Sequence, residues 1–504
     1  MDWLNLEVFL NPGSTLMEGI ADKLGLPVDH LNFVASELVA LALAPVFRTF
    51  LHPSVTKPAT RQKVALVVGI YLGYFAFGIQ ALHLAGLPTL CYLIIITQNA
   101  ATVQRKVMVV SLAYLSLIHL HRLLYEAGNY ALDVTGPLMV MTQKATSLAF
   151  CIHDGFKKEN DLTSSQKYYA VRKIPSVLEY FSYMLQFHTL MVGPLVFYRD
   201  YDDFIKGSNL RKDYNKVIGR KHAAEDPTSY NAAFQKIITS ILCACVFTFI
   251  VFPIERAKSE EFMERNISYQ MLYLIAATSV VRFKYYHAWV LADAICNLSG
   301  LGFNGYTENG TPKWDLVSNV DILGFEFSSN LRNAINSWNK GTNAWLRMVA
   351  YERVKSNGVL YTFALSALWH GFYPGYYLTF ATGALFTVAA RSIRSNLRPH
   401  FQSSRPKKIF YDILTVAGTR LVMGYLTFSF VLLEFWPSVR IYWNMYFWLH
   451  LMALASIYLL PRFLGQNEAP LRNRLTKLVT NSNGQPSRRR HPNPFEPSYI
   501  ICYY

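Results

Sequence analysis

The chain has 504 residues, of which 52% are hydrophobic, 15% aromatic and only 16% charged, and its formal net charge is +16. A typical soluble chain carries about 25% charged residues, so this balance excludes a coiled coil, a disordered chain and a small secreted disulfide domain. It also makes nucleic-acid binding a poor account of the positive charge, and the six cysteines (Cys91, Cys151, Cys243, Cys245, Cys296 and Cys502) have no zinc-like spacing, so no metal site is expected.

A spanning helix needs about 20 mainly apolar residues. The N-terminal segment, 1–30, carries Asp2 and Glu7 and lacks the basic start of a cleavable signal peptide. Candidate spans then follow at 31–47, 63–85, 86–98, 106–125, 136–152, 180–198, 232–252, 268–292, 359–369, 373–390, 409–433 and 441–460. Several are too short to cross alone. The expected fold class is an all-α polytopic membrane protein with about 10–12 transmembrane or re-entrant helices. The multispanning domain would cover 31–461, followed by a basic, flexible cytoplasmic tail, 462–504, which reads first as a solubilising topology signal and second as a segment near anionic lipid head groups.

Basic residues favour the cytoplasmic side. They crowd loop 199–222 (Arg199, Lys206, Arg211, Lys212, Lys216, Arg220 and Lys221), loop 391–408 and the tail. Loop 253–267 is balanced by Glu255, Glu260, Glu261 and Glu264, which places it in the lumen. Segment 359–390 then begins and ends in the cytoplasm and must cross an even number of times. Its first arm, 359–369, rises only about 16 Å, roughly half of a hydrocarbon core some 30 Å thick. The arm ends at Trp369-His370-Gly371, with the turn formers Pro374 and Gly375 following. The expectation is a re-entrant hairpin with His370 near mid-membrane depth, buried in protein or lining a cavity.

Ionisable groups at membrane depth are costly and are functional-site candidates by default. Glu37, His119, His121, Glu179, His188, His287, Asp293, His370 and His450 compete. Taken singly, each reads first as a paired structural group, an interfacial residue or a helix cap. His119 and His121 precede Arg122, which suits the interface, and Asp293 suits a contact with a neighbouring helix. His370 is favoured by its inferred break. Upstream, Asn336-Ser337-Trp338-Asn339 precedes Thr342-Asn343-Ala344-Trp345, Arg347, Glu352 and Arg353. This stretch reads either as an interfacial helix anchored by Trp and Arg or as a basic patch, with Lys340, Arg347 and Arg353, for an anionic ligand from the cytoplasm.

Pro175-Ser176 with Leu178-Glu179-Tyr180 leads to Gly193-Pro194, and Gly302-Phe303-Asn304-Gly305-Tyr306 leads to Lys313-Trp314-Asp315. Ser337-Trp338-Asn339 with Thr342-Asn343-Ala344-Trp345 follows, then Ser366-Ala367-Leu368-Trp369-His370-Gly371 with Tyr373-Pro374-Gly375-Tyr376-Tyr377. In this order, and across nearly the whole chain, these segments resemble the membrane-bound O-acyltransferase family in its lysophospholipid branch. The resemblance implies helices enclosing a catalytic chamber in the endoplasmic reticulum membrane, with His370 and Asn339 as the catalytic pair. It implies acyl-CoA as a substrate, with no separate cofactor, and a lysophosphatidylethanolamine, lysophosphatidylserine or lysophosphatidylcholine as acceptor. Trp338, Lys340, Asn343, Arg347, Arg353, Trp369 and Tyr376 are the further substrate-binding candidates.

Histidine, with an ordinary pKa near 6.5, can take the acceptor hydroxyl's proton. Asparagine cannot be a base, but its amide can donate to an oxyanion or orient the acceptor. No serine or cysteine adjoins either residue, so direct transfer in a ternary complex is expected. A His-x4-Asp acyltransferase is disfavoured because Gly375 lies five residues after His370. A transporter would use buried His, Asp and Glu as a proton relay but leaves Asn339 and His370 without a role. A sterol or protein acceptor would keep the family and change the substrate.

Overall fold

The computed structural model describes residues 13–125, 132–211 and 226–464. Asp2, Glu7, Lys212, Lys216, Arg220, Lys221, Cys502 and nearly all of the 462–504 tail lie outside them. The described residues form helices and turns, with a single isolated antiparallel bridge between Tyr306 and Pro312.

The main helices are α1 (Val28–Phe50), α2 (Pro58–Phe77), α3 (Leu82–Thr97), α4 (Val103–Tyr125), α5 (Thr135–Gly155), α6 (Val177–Leu185), α7 (Tyr198–Lys206) and α8 (Tyr230–Phe249). They continue with α9 (Ile267–Ser299), α10 (Lys340–Val349), α11 (Gly358–His370), α12 (Pro374–Leu397), α13 (Arg405–Leu432), α14 (Phe435–Asn444) and α15 (Trp448–Tyr458). Among the described residues, α1, the stretch Pro58–Thr97, α4, α8 and α13 are long and apolar enough to cross a membrane. The pair Phe435–Asn444 and Trp448–Leu464, bent by 74°, makes a sixth candidate.

Among the described residues, the expected spans 136–152, 268–292, 359–369 and 373–390 are helical but not among the long, apolar candidates, and three further segments differ in form. Segments 63–85 and 86–98 fall within one 40-residue candidate stretch, in which α2 and α3 join through the 3-10 turn Gly78–Ala81. Gly78, at φ 53, ends α2, but helix resumes within four residues. Segment 180–198 is not a continuous helix. It comprises the end of α6, the turn Phe187–Thr189 and an irregular run through Gly193-Pro194. Proline removes a backbone donor and breaks helices, and the segment is apolar because protein, not lipid, surrounds it: Phe187, Leu190, Met191, Leu195, Val196 and Phe197 are all buried.

The described chain groups into two compact units. The first takes the residues up to Ile250, Arg282–Val320 and Asn339–Phe372. Its core joins Val107 and Leu115 of α4, Leu138, Ala145 and Leu148 of α5, Tyr180 and Tyr183 of α6, and Trp345 and Trp369. Outward, α8 exposes Phe234, Ile238, Ile241 and Leu242, while α5 buries Gln143, Lys144, Thr146 and Ser147. Apolar outside and polar within is the arrangement a bilayer solvent requires. Lys144 shows how the buried groups are satisfied: its Nζ donates to the carbonyls of Tyr183 and Met184, both at 3.3 Å, and to Thr189 Oγ1 at 2.9 Å.

The second unit takes Val251–Val281, Asp321–Trp338 and the chain from Tyr373 onward. Here α12 lies against α13 so closely that a Cβ at Gly375 would fall 2.1 Å from the Ser429 carbonyl oxygen. The Gly375 N–H donates to Leu433 at 2.8 Å. Tyr425, Phe428, Tyr442 and His450 form its aromatic centre. The loop expected in the lumen carries paired charges, Glu261 with Arg256 and Arg265, and Glu260 with Arg440. Exposed pairs of this kind contribute little stability.

Candidate functional site

The site is best built from α11, which ends at the residue the sequence singles out. Gly371 follows at φ 107, a conformation that side chains disfavour. Pro374 then opens α12 at its first position, with Tyr373 extended before it. The expected break at His370 is therefore present, formed by glycine and proline chemistry. His370 is half-buried, and its ring meets Trp369 edge-on with centroids 4.7 Å apart.

Trp369 is 5% exposed and is held at three points. Its Nε1–H donates to the Met139 carbonyl of α5 at 3.0 Å. Its own carbonyl accepts from His119 Nε2 of α4 at 3.1 Å. Its ring packs against Trp345 of α10 with centroids 5.7 Å apart. Unpaired carbonyls at a helix C-terminus need such outside donors.

Asn339 opens α10. It adopts φ 44, ψ 56, the left-handed region that asparagine tolerates better than other side-chain-bearing residues. Its Oδ1 accepts the Thr342 N–H at 3.4 Å, so the group it can offer a ligand is the amide donor. Asn319 fixes the same turn, its carbonyl accepting from Lys340 N–H at 2.7 Å and its Oδ1 from Gly341 N–H at 2.9 Å. Strained backbone held by its surroundings is characteristic of functional positions.

One face of α5 ties these pieces together. Residues three or four apart on a helix share a face, and here Met139, Gln143, Thr146, Phe150 and Asp154 do so. Met139 holds Trp369. Gln143 Nε2 donates to Thr342 Oγ1 at 2.8 Å, and Thr146 Oγ1 accepts from Trp345 Nε1 at 2.8 Å. Arg353 lies over Phe150 at 4.9 Å and makes a bidentate pair with Asp154, both bonds at 2.7 Å. The helix that starts at Asn339 and the helix that ends at His370 are thus referenced to one buried strut. Polar residues recurring at this spacing inside an apolar segment were the signal that sequence reading could have used.

The other candidates divide between the units. Lys340, Asn343 and Arg347 lie on α10, with Arg347 Nε donating to Glu352 at 2.7 Å. Trp338 and Tyr376 belong to the second unit. There Trp338 meets Phe325 at 5.2 Å and Tyr376 meets Phe430 at 4.6 Å between centroids. The two halves of the 302–315 motif meet in the first unit. The Asn304 N–H donates to the Lys313 carbonyl at 2.9 Å and the Lys313 N–H to the Gly305 carbonyl at 2.8 Å, Asn304 Nδ2 donates to Asp315 at 2.8 Å, and Phe303 packs on Trp314.

Several membrane-depth candidates have structural partners. Glu179 completes a capping box with Ser176 at the start of α6. Asp293 pairs with Lys236 of α8 at 2.7 Å, the expected contact with a neighbouring helix. His287 Nδ1 lies 2.8 Å from Ser240 Oγ. His119 departs from the interfacial expectation: it is 8% exposed, lodged beneath Trp369 and Gly371. Arg122, in the last turn of α4, pairs with Asp133, which lies just before α5, at 2.9 Å.

A family model for membrane-bound O-acyltransferases matches residues 123–428. The chain is 50% identical over 481 residues to a Drosophila melanogaster protein named lysophospholipid acyltransferase 6, covering 94% of this chain and 66% of that one. It is 41% identical over 458 residues to membrane-bound glycerophospholipid O-acyltransferase 2 of Gallus gallus, covering 89% and 88%. A Schizosaccharomyces pombe lysophospholipid acyltransferase is 31% identical over 463 residues, covering 87% and 88%. The chain therefore spans about two thirds of the fly relative's length and most of the other two.

Proposed function

The chain belongs to the membrane-bound O-acyltransferase family, and from that premise we propose that it acylates the free hydroxyl of a lysophospholipid with acyl-CoA as donor, using His370 as the base and Asn339 as the oxyanion donor. The names of the fly and yeast relatives favour a lysophospholipid acceptor, in phospholipid remodelling, over a sterol or a protein. Lysophosphatidylethanolamine, lysophosphatidylserine and lysophosphatidylcholine are the head groups to test. The protein crosses the membrane several times, and the endoplasmic reticulum is the membrane proposed.

In the proposed reaction the acceptor oxygen attacks the thioester carbon while His370 takes its proton. The carbonyl oxygen becomes an oxyanion, and the Asn339 amide donates to it. Collapse expels the CoA thiolate, which recovers the proton from His370, so a new ester and a free thiol result. Anionic CoA would approach through the basic face of Lys340 and Arg347, and the lysophospholipid sideways from the bilayer. Keeping the meeting point away from bulk water limits hydrolysis of the thioester.

The observation that carries this reading is the shared anchorage of both residues. Asn339 begins and His370 ends helices that pack on each other through Trp345 and Trp369 and on α5 through Thr146 and Met139. The test is CoA release by the purified protein against a panel of lysophospholipids. Release should depend on the acceptor. Release without acceptor dependence, or trapping of a covalent acyl-protein, would contradict it.

A further inference from the structure

We propose that His119 is a positioning residue for His370, its ring clamping the helix end that carries the base. The inference rests on the reading of His370 as that base. A carbonyl oxygen can only accept, so the 3.1 Å contact between His119 Nε2 and the Trp369 carbonyl makes Nε2 the protonated, donating nitrogen. That carbonyl belongs to the last turn of α11, where the helix supplies no donor of its own. The other edge of the ring lies against Gly371: a Cβ there would fall 2.9 Å from His119 Nδ1. The imidazole is therefore in contact with the backbone on both sides of His370.

The geometry leaves little freedom. Gly371 must be glycine both for its φ of 107 and for the space the ring occupies. Trp369 is fixed independently through its indole by Met139, so His119 is not needed to seat the tryptophan. What it adds is a donor to the peptide that joins Trp369 to His370, which sets the direction in which the His370 side chain leaves the helix. His119 belongs to α4, an element that carries neither catalytic candidate, so it acts on the reaction through that peptide.

The experiment compares His119→Met, His119→Gln and His370→Ala with the unaltered protein, purified in detergent and assayed for lysophospholipid-dependent CoA release. His119→Met removes the donor at similar bulk. It should lower kcat at least tenfold while KM for both substrates stays within about twofold. His119→Gln, whose amide N–H reaches about as far, should keep kcat within about threefold of the unaltered protein. An unchanged kcat in the Met variant, a loss confined to KM, or a Gln variant no better than Met would overturn the proposal. If the Met variant does not fold, the coupling between His119→Ala and Gly371→Ala in membranes decides. Losses smaller than multiplicative support a shared contact, and strictly multiplicative losses contradict it. Retained turnover in His370→Ala would instead overturn the assignment of the base, so the two failures are distinguishable.

Discussion

Trp345 and Trp369 meet with ring centroids 5.7 Å apart, and each spends its indole N–H on the same helix, Trp345 on Thr146 Oγ1 and Trp369 on the Met139 carbonyl. The contact links the helix begun by Asn339 to the helix ended by His370. It turns two polar residues, well separated in sequence, into parts of one buried arrangement.

Thr146→Val tests that linkage. The substitution keeps shape and removes the acceptor, leaving the Trp345 indole N–H buried and unpaired at a cost of about 1–3 kcal/mol. Thermal unfolding in detergent should show a lower Tm, and kcat should fall more than KM changes. An unchanged Tm together with unchanged kcat would show that the indole bond does not hold the site.

Asn339 separates backbone from chemistry. Asn339→Gly adopts φ 44 freely and loses only a few tenths of a kcal/mol as a helix cap. It should fold like the unaltered protein yet lose kcat by about 10²–10³-fold, the range for removing one oxyanion donor. Asn339→Ala should show the same loss of turnover and, in addition, a lower Tm, because left-handed backbone costs a side-chain-bearing residue about 1–2 kcal/mol. A glycine variant with near-normal kcat would remove Asn339 from the chemistry.

Much of this was readable in the chain and some was not. The break at His370 followed from Trp369-His370-Gly371 and Pro374, since local turn chemistry needs no tertiary information. The all-α membrane class followed from the apolar runs. Hydropathy could not distinguish a segment facing lipid from one buried in protein, so 180–198 read as a span although it is an irregular interior strand of chain. The same ambiguity hid α5, whose Gln143, Thr146 and Asp154 matter through partners some two hundred positions away. His119 was assigned to the interface from Arg122 beside it, and only its distant partner, Trp369, shows otherwise.

The pair of Arg353 with Asp154 makes a stability prediction. The Asp154 side chain is 3% exposed, so Arg353→Met leaves a buried carboxylate unpaired, a change that costs about 3–5 kcal/mol. Tm should drop sharply. Adding Asp154→Leu should recover most of the loss, because the unpaired charge goes with it. Equal Tm values for the single and double variants would show that the pair is not the source of the effect.

The most direct measurement is the rate of acyl transfer from acyl-CoA to a lysophospholipid by purified, reconstituted protein, set beside His370→Ala of matched Tm and monodispersity. The unaltered protein should form the diacyl product with release of CoA, and the alanine variant should form essentially none while remaining folded. Product formation at comparable rates by both proteins would contradict the assignment of His370 as the base.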